Sequence, residues 1–394
     1  MNAVNPIVSL EAPPTIRGFA ASQSVIGSGN YTLNAGQKAL LRKQIEDFNA
    51  LPDAAEVASS LADRIEAEER TSTTINIKDV SVDDDMAITF GEVEHAVTQD
   101  AYKALLRGIA PKGAYSYLTG IDVDLRAYNT RALLQQDGRI KVRTKNGENG
   151  ERVIFGVVPE TYPDVYANDI LRTISRQTAE GAKGTYIYDP NTTQLSFREL
   201  LRQEINPSSY SWSKDDTFQV GRGWSLRDDG STSIAMNLLM FRQLCANMQM
   251  LSADRYLKRV RHRGQEESVI ARVGELFKQT GGFVKHFSSQ WGAARAVQWN
   301  EDATFDKAIA AYGYLVNNKK LSAIGDKDLF ALSLATAWLE EPGDTIADLV
   351  NGVTRYARTG SVSNSSKFAL DKLELQASDL MTLPSNTWER TRKL

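Results

Sequence analysis

From Arg139 to Lys145 the chain carries a cation at every second position. Arg139, Lys141, Arg143 and Lys145 alternate with Ile140, Val142 and Thr144. Successive side chains of a β-strand point to opposite faces, and the intervening residues are good strand formers. The stretch therefore predicts a strand with one cationic and one apolar face. Asn146-Gly147-Glu148-Asn149-Gly150 is a turn signal, and Arg152-Val153-Ile154-Phe155-Gly156-Val157-Val158 supplies the return strand of a hairpin. Such a hairpin constrains the fold twice over. Its apolar face needs a core behind it. Its row of like charges needs something negative in front of it, and a polyanion is the first partner to consider.

The chain of 394 residues is long enough for one large or two moderate domains. Its net charge is only −3, so any basic surface is local and balanced elsewhere. The balance lies in residues 51–100, which hold Glu66, Glu68, Glu69 and Asp83-Asp84-Asp85, whereas 101–150 and 251–300 are basic. The single cysteine, Cys245, excludes an internal disulfide and a cysteine-rich zinc site. The start, Met1-Asn2-Ala3-Val4-Asn5-Pro6, does not read as a signal peptide, and no apolar run approaches the roughly 20 residues of a membrane span. A soluble protein of the host-cell cytoplasm is expected, with no membrane partner.

Along the chain, residues 1–35, rich in proline and glycine, read as an extended arm. Residues 36–97 read as a helical and acidic N-terminal region. Leu41, Ile45 and Phe48 predict one helix. Asp53 with Glu56 predicts a capping box for a second, carried by Val57, Leu61 and Ile65. Strand-like runs follow at 74–77 and 86–90. Residues 98–136 predict helices around the Pro111-Lys112-Gly113 break, and a helix is predicted to start near Asn168 as its N-cap. Strands are expected at 185–188 and 218–226. After the turn Arg227-Asp228-Asp229-Gly230-Ser231, the spacing of Ile234, Leu238, Phe241, Cys245 and Met248 predicts a helix. Another is expected over 266–279, with Ile270, Val273 and Phe277 inward, and the chain from Phe305 on reads as mostly helical. The fold class is α+β: an antiparallel, hairpin-based sheet packed with helices, and helical N- and C-terminal regions. The expected core runs over 98–330, with a C-terminal helical region over 331–394.

Motifs for catalysis are weak. His95, His262 and His286 lack metal-ligand spacing, and neither a phosphate-binding nor a dinucleotide-binding glycine loop occurs. Ser211-Trp212-Ser213-Lys214 matches a nucleophile pattern that chance alone produces in a chain this long. Asp122 and Asp124 could hold Mg²⁺, but a solvated helix N-terminus explains them better. Cys245 reads as a buried structural thiol. No catalytic residue, metal or cofactor is assigned.

A second basic segment carries the functional reading further. Arg255-Tyr256-Leu257-Lys258-Arg259-Val260-Arg261-His262-Arg263 has five cations in nine residues. Arginine forks suit phosphate oxygens, and an aromatic ring offers a stacking face. The expectation is a non-catalytic nucleic-acid binder, single-stranded DNA favoured. Arg139, Lys141, Arg143 and Lys145 would track the backbone, and Arg255, Lys258, Arg259, Arg261 and Arg263 would form a second line. Trp212, Trp224, Tyr186, Tyr188 and Tyr210 read mostly as core. The bland reading pairs both basic segments with the acidic region near residues 56–94. Self-assembly of a structural phage protein through acidic and basic faces is the alternative, with a homo-oligomer as its consequence. A carboxylate and Mg²⁺ enzyme ranks last.

Short patterns in order also resemble a known family. They are Ala101–Leu106 through Tyr117-Leu118 to Tyr128-Asn129, then Gly156-Val157-Val158-Pro159-Glu160-Thr161-Tyr162 and Asn168. Gly223-Trp224 with Asp229-Gly230, Cys245-Ala246-Asn247, Arg261-His262-Arg263-Gly264 and Asn351-Gly352-Val353-Thr354-Arg355-Tyr356 follow. Over roughly residues 98–358 the chain resembles the phage/plasmid-like proteins grouped as domain of unknown function nine-three-two. Ala246 and Met248 stand where that pattern has threonine and glycine, and residues 1–97 have no match. The resemblance implies a mobile-element origin and companionship with DNA-handling genes, hence recombination, annealing or replication as the setting. It implies no settled biochemistry.

Overall fold

The computed structural model describes residues 50–147, 149–205, 218–242, 247–251, 258–277, 280–340, 342–359 and 364–393. The arm, the helix expected around Leu41–Phe48, Ser211–Lys214, Tyr210, Trp212, Cys245 and Arg255 lie outside them.

The architecture is α+β, with two six-stranded sheets. The first holds β1 (Thr71–Asn76), β2 (Ser81–Val82), β3 (Ile88–Phe90), β4 (Val93–Val97), β5 (Arg139–Asn146) and β6 (Arg152–Pro159), in the order β1-β5-β6-β4-β3-β2. All pairings are antiparallel except the short one between β4 and β6. The expected hairpin is β5–β6. This sheet takes strands from both sides of position 97, so the division expected there falls inside one sheet.

The apolar face of the hairpin finds its core. Ile140, Val142 and Ile154 are buried with Ala101, Leu105 and Ile109 of α2 (Gln99–Ile109) and with Leu134. Thr98 caps α2, accepting the N–H of Ala101. The helical stretch then breaks at Gly113, whose φ of +96° suits glycine. It continues as α3 (Ala114–Leu118) and α4 (Val123–Leu133). Asp122 and Asp124 stand exposed at the start of α4.

The second sheet holds β7 (Lys183–Asp189), β8 (Gln194–Ile205), β9 (Phe218–Arg227), β10 (Ile234–Arg242), β11 (Asn247–Leu251) and β12 (Lys258–Val260). Its order is β11-β10-β9-β8-β7, with β12 also paired to β10. The segment from Ile234, expected as a helix, is therefore a strand. Every residue from Ile234 to Met240 is buried. A run apolar on both sides contains helical spacing and strand alternation at once, so spacing cannot distinguish them. Trp224 of β9 is fully buried, as expected.

Helices pack on this second sheet. In α1 (Ala54–Glu66), Asp53 caps the end by accepting the N–H groups of Ala55 and Glu56, and Ala58, Leu61 and Ile65 face the core. α5 (Ala167–Gln177) starts one residue before Asn168. Tyr166 is its N-cap, and the Asp169 carboxylate accepts the Tyr166 N–H. α6 (Glu266–Leu276) buries Val269, Val273 and Leu276, a face rotated from the expected one, with Ile270 half-buried. α7 (Thr280–Ala296), α8 (Phe305–Asn317), α9 (Lys327–Trp338), α10 (Ile346–Thr359), α11 (Asn364–Leu380) and α12 (Ser385–Thr391) complete the large core and the helical C-terminal region. Among the described residues no helix is long and apolar enough to cross a membrane.

Candidate nucleic-acid interface

The four ladder cations do share one face of β5, but that face is covered. Its cover is the turn between β9 and β10, Asp228-Asp229-Gly230. At Gly156 of β6 a Cβ would stand 2.9 Å from the Asp229 Cα, and at Gly230 one would overlap Val158. Glycine at both places lets the turn rest on the hairpin backbone. Between Arg143 and Thr144 the pairing with β6 shifts from Gly156 to Ile154, which leaves Phe155 without a cross-strand partner. This bulge brings Phe155, itself buried, against Tyr166 and the Arg70 guanidinium.

Arg143 is fully buried. Its guanidinium donates to the backbone oxygens of Asp228 (2.7 Å) and Pro163 (2.6 Å). It lies between the rings of Tyr162 and Tyr166, 4.8 and 4.5 Å from their centres. Tyr162 stacks in turn on the imidazole of His262, with centres 5.1 Å apart and planes at 18°. Tyr166, Arg143, Tyr162 and His262 thus form one column, with the guanidinium between two π faces and the imidazole stacked at its end. Burial, with Arg143 and Arg272 nearby, pulls the His262 pKa down from 6.5 to about 4.

Beside the column, the Asp228 carboxylate accepts from Arg70 and from the Ala167 N–H, the latter at 3.0 Å. Arg70 reaches Glu68 at 2.9 Å, and Lys145 reaches the same Glu68 oxygen at 3.3 Å. The Tyr188 hydroxyl donates to the other Glu68 oxygen at 2.7 Å. Burial works against the Glu68 carboxylate, but Arg70, Tyr188 and Lys145 outweigh it and hold its pKa below the usual value. For Lys145 burial prevails over Glu68, and its pKa is lowered. Lys141 donates to the Tyr162 backbone oxygen (2.6 Å) and to Asp164 (3.1 Å). Arg139, the one exposed member, pairs with Glu160 at 2.6 Å.

This corrects the expected contact line. Arg143 and Lys145 reach turns of the second sheet at Asp228 and Pro190, and Lys141 ties down the loop at Tyr162 and Asp164, so all three are turned onto oxygens of the same molecule and offer no phosphate surface. The bland reading of the ladder, pairing with the acidic region, holds for Lys145 and Glu68. Removing one partner from such a buried network leaves charges and carbonyls without solvation, which costs about 3–5 kcal/mol.

The second basic segment stands differently. β12 pairs antiparallel with β10 at Met236, Ala235 and Ile234 and, among the described residues, has no further strand beside it. Val260 and His262 are buried, while Arg259, Arg261 and Arg263 are exposed. Among the described residues no carboxylate pairs with these three. Lys258 lies on the same strand, its side chain outside the described set. Sequence reasoning missed Arg272. Its guanidinium bends back to donate to the backbone oxygens of Arg263 and Ser268, which sets a fourth cation beside Arg263. Its place nearly two turns into α6, in reach of the preceding loop, was the available signal.

Comparison of the chain with family models, curated proteins and solved structures returns no match. The likeness to the phage/plasmid-like family therefore rests on its short patterns alone.

Proposed function

We propose that the protein binds nucleic acid, single-stranded DNA by preference, through the arginine strip Arg259, Arg261 and Arg263 with Arg272 beside it. The reading is that of a non-catalytic accessory to recombination, annealing or replication in a phage or plasmid. One observation carries it: Arg259 on an edge strand and Arg261 and Arg263 just after it are exposed, alternate with the buried Val260 and His262, and have no carboxylate partner among the described residues. Solubility alone does not require that arrangement. Exposed guanidinium forks at every second residue can each take a phosphate. With a net charge of −3 the attraction is local, so binding is strongly salt-dependent.

The test is fluorescence anisotropy with labelled single- and double-stranded oligonucleotides across a salt series. Binding weakens as salt rises. Replacing Arg259, Arg261 and Arg263 with serine lowers the magnitude of the log–log salt slope by about 2 on single strands, while the melt stays that of the wild type. An unaltered isotherm in the triple variant removes the proposal. A stronger affinity for duplex than for single strands removes its preference for single strands.

A further inference from the structure

Alternation gives Arg259, Arg261 and Arg263 to solvent and His262 to the interior. The backbone at His262 makes a tight turn. The Arg263 N–H donates to the Arg261 oxygen at 2.8 Å, so His262 stands at the apex. Its imidazole points inward from that apex, 8% exposed and stacked on Tyr162. The ring thus pins the turn that carries Arg261 and Arg263. Neither ring nitrogen has a hydrogen-bond partner among the described residues. The charges that bear on it most are positive: Arg143 of β5, on the far face of Tyr162, and Arg272 of α6, which is bonded to the Arg263 oxygen. Arg261 and Arg263 flank it in the chain. Carboxylates on the neighbouring elements are engaged or face solvent. Asp228 pairs with Arg70 and Asp229 with Arg227, while Glu266 and Glu267 stand exposed at the start of α6. A buried imidazole beside guanidinium groups resists the proton, and His262 stays neutral down to about pH 4.

We infer that His262 couples the arginine strip to protons: a polyphosphate bound at Arg261, Arg263 and Arg272 favours protonation of the imidazole, and the proton in turn tightens the hold on the polyphosphate. The inference rests on the nucleic-acid reading of the strip and adds a regulation to it. Phosphate oxygens over these guanidinium groups offset the positive field that keeps the ring neutral, and the Tyr162 face receives the charged ring. Linkage makes the effect reciprocal. The bound form takes up the proton at a higher pH than the free protein, so binding strengthens as pH falls between the two values. Each unit by which bound phosphate raises the His262 pKa is worth about tenfold in affinity.

Anisotropy with labelled oligo(dT), whose bases take up no proton in this range, tests the coupling at about pH 7.5 and about pH 5 at constant salt. The affinity of the wild type rises about three- to tenfold at the lower pH. His262→Phe keeps a ring on Tyr162 and loses most of that gain, retaining only what other acidic groups supply. Calorimetric titrations at the lower pH, in buffers of unlike ionisation heat, show proton uptake on binding by the wild type and less by the variant. A further measurement needs no substitution: in protein carrying isotope-labelled histidine, one imidazole titrates at higher pH with oligo(dT) bound than without it. A gain that survives intact in His262→Phe, or imidazole titrations that ignore oligo(dT), would overturn the coupling and leave the strip as a binding site. A chain that binds oligo(dT) at neither pH removes the nucleic-acid reading and the coupling with it.

Discussion

Residues 139–145 and 259–263 share one pattern, a cation at every second position, and have opposite fates in the fold. In the first segment the cations face a second layer. Arg143 ends between two tyrosine rings, and Lys145 ends on Glu68. In the second the interleaved residues turn inward and the arginines turn out. The difference lies in the neighbours. β5 has strands on both sides and a turn resting on the hairpin, whereas β12 has a strand on one side only, among the described residues. Alternation fixes which side chains share a face. What lies over that face is decided by residues far along the chain.

The contrast breaks most readily at Arg143. Arg143→Ala should cost about 3–5 kcal/mol of stability, measured by chemical denaturation, because it empties the space between two rings and strands two carbonyls. An unchanged midpoint would mean that Arg143 ties no turn to the strand.

His262 gives the next effect, and its sign follows from two protonation constants. The unfolded chain takes up the proton near 6.5, the folded protein only near 4. Between these values the unfolded state holds the extra proton. Stability therefore falls as pH drops, by about 3 kcal/mol in all, and the contribution of His262 is complete above pH 6.5. Glu68, with its pKa lowered on folding, adds a second loss at more acid pH, as its carboxylate takes up the proton that the folded protein resists. His262→Phe keeps the stacking and should flatten the upper slope in a pH series of denaturation curves. A slope that survives belongs to another group.

Arg139→Ser is expected to cost only about 0.2–1 kcal/mol, since its pair with Glu160 is exposed. Its contrast with Arg143→Ala, two register positions along the same face, measures what covering is worth. The serine triple variant at 259, 261 and 263 should be the quietest, within about 0.5 kcal/mol of wild type. A large loss there would give the strip a structural partner and collapse the distinction between the two segments.

The hairpin, the cap at Asp53, the helix opening at Thr98 and the helical C-terminal region were legible because each is a local pattern of propensity, spacing or capping. The cover on the ladder was not. Arg143 meets Asp228 from 85 residues away, and Lys145 meets Glu68 from 77. No local period encodes such a pairing. β10 misled for another reason: a strand buried on both faces has lost the alternation that identifies strands. The outward set of the second segment was half legible. Its odd positions were evident as arginines, but only the pairing of Ile234 with Val260 fixes which parity looks inward.

Where Gly156 meets Asp229, main chain lies on main chain, with no side-chain cushion between the layers. A cushion of side chains can absorb an added methyl by changing rotamers, but a bare contact has nothing to rearrange. Even alanine at 156 would have to lift the entire turn. Lifting it would draw the Asp228 carbonyl away from Arg143 and loosen the column that ends at His262. One hydrogen atom in place of a carbon thus sets the spacing on which the stacking of distant rings depends.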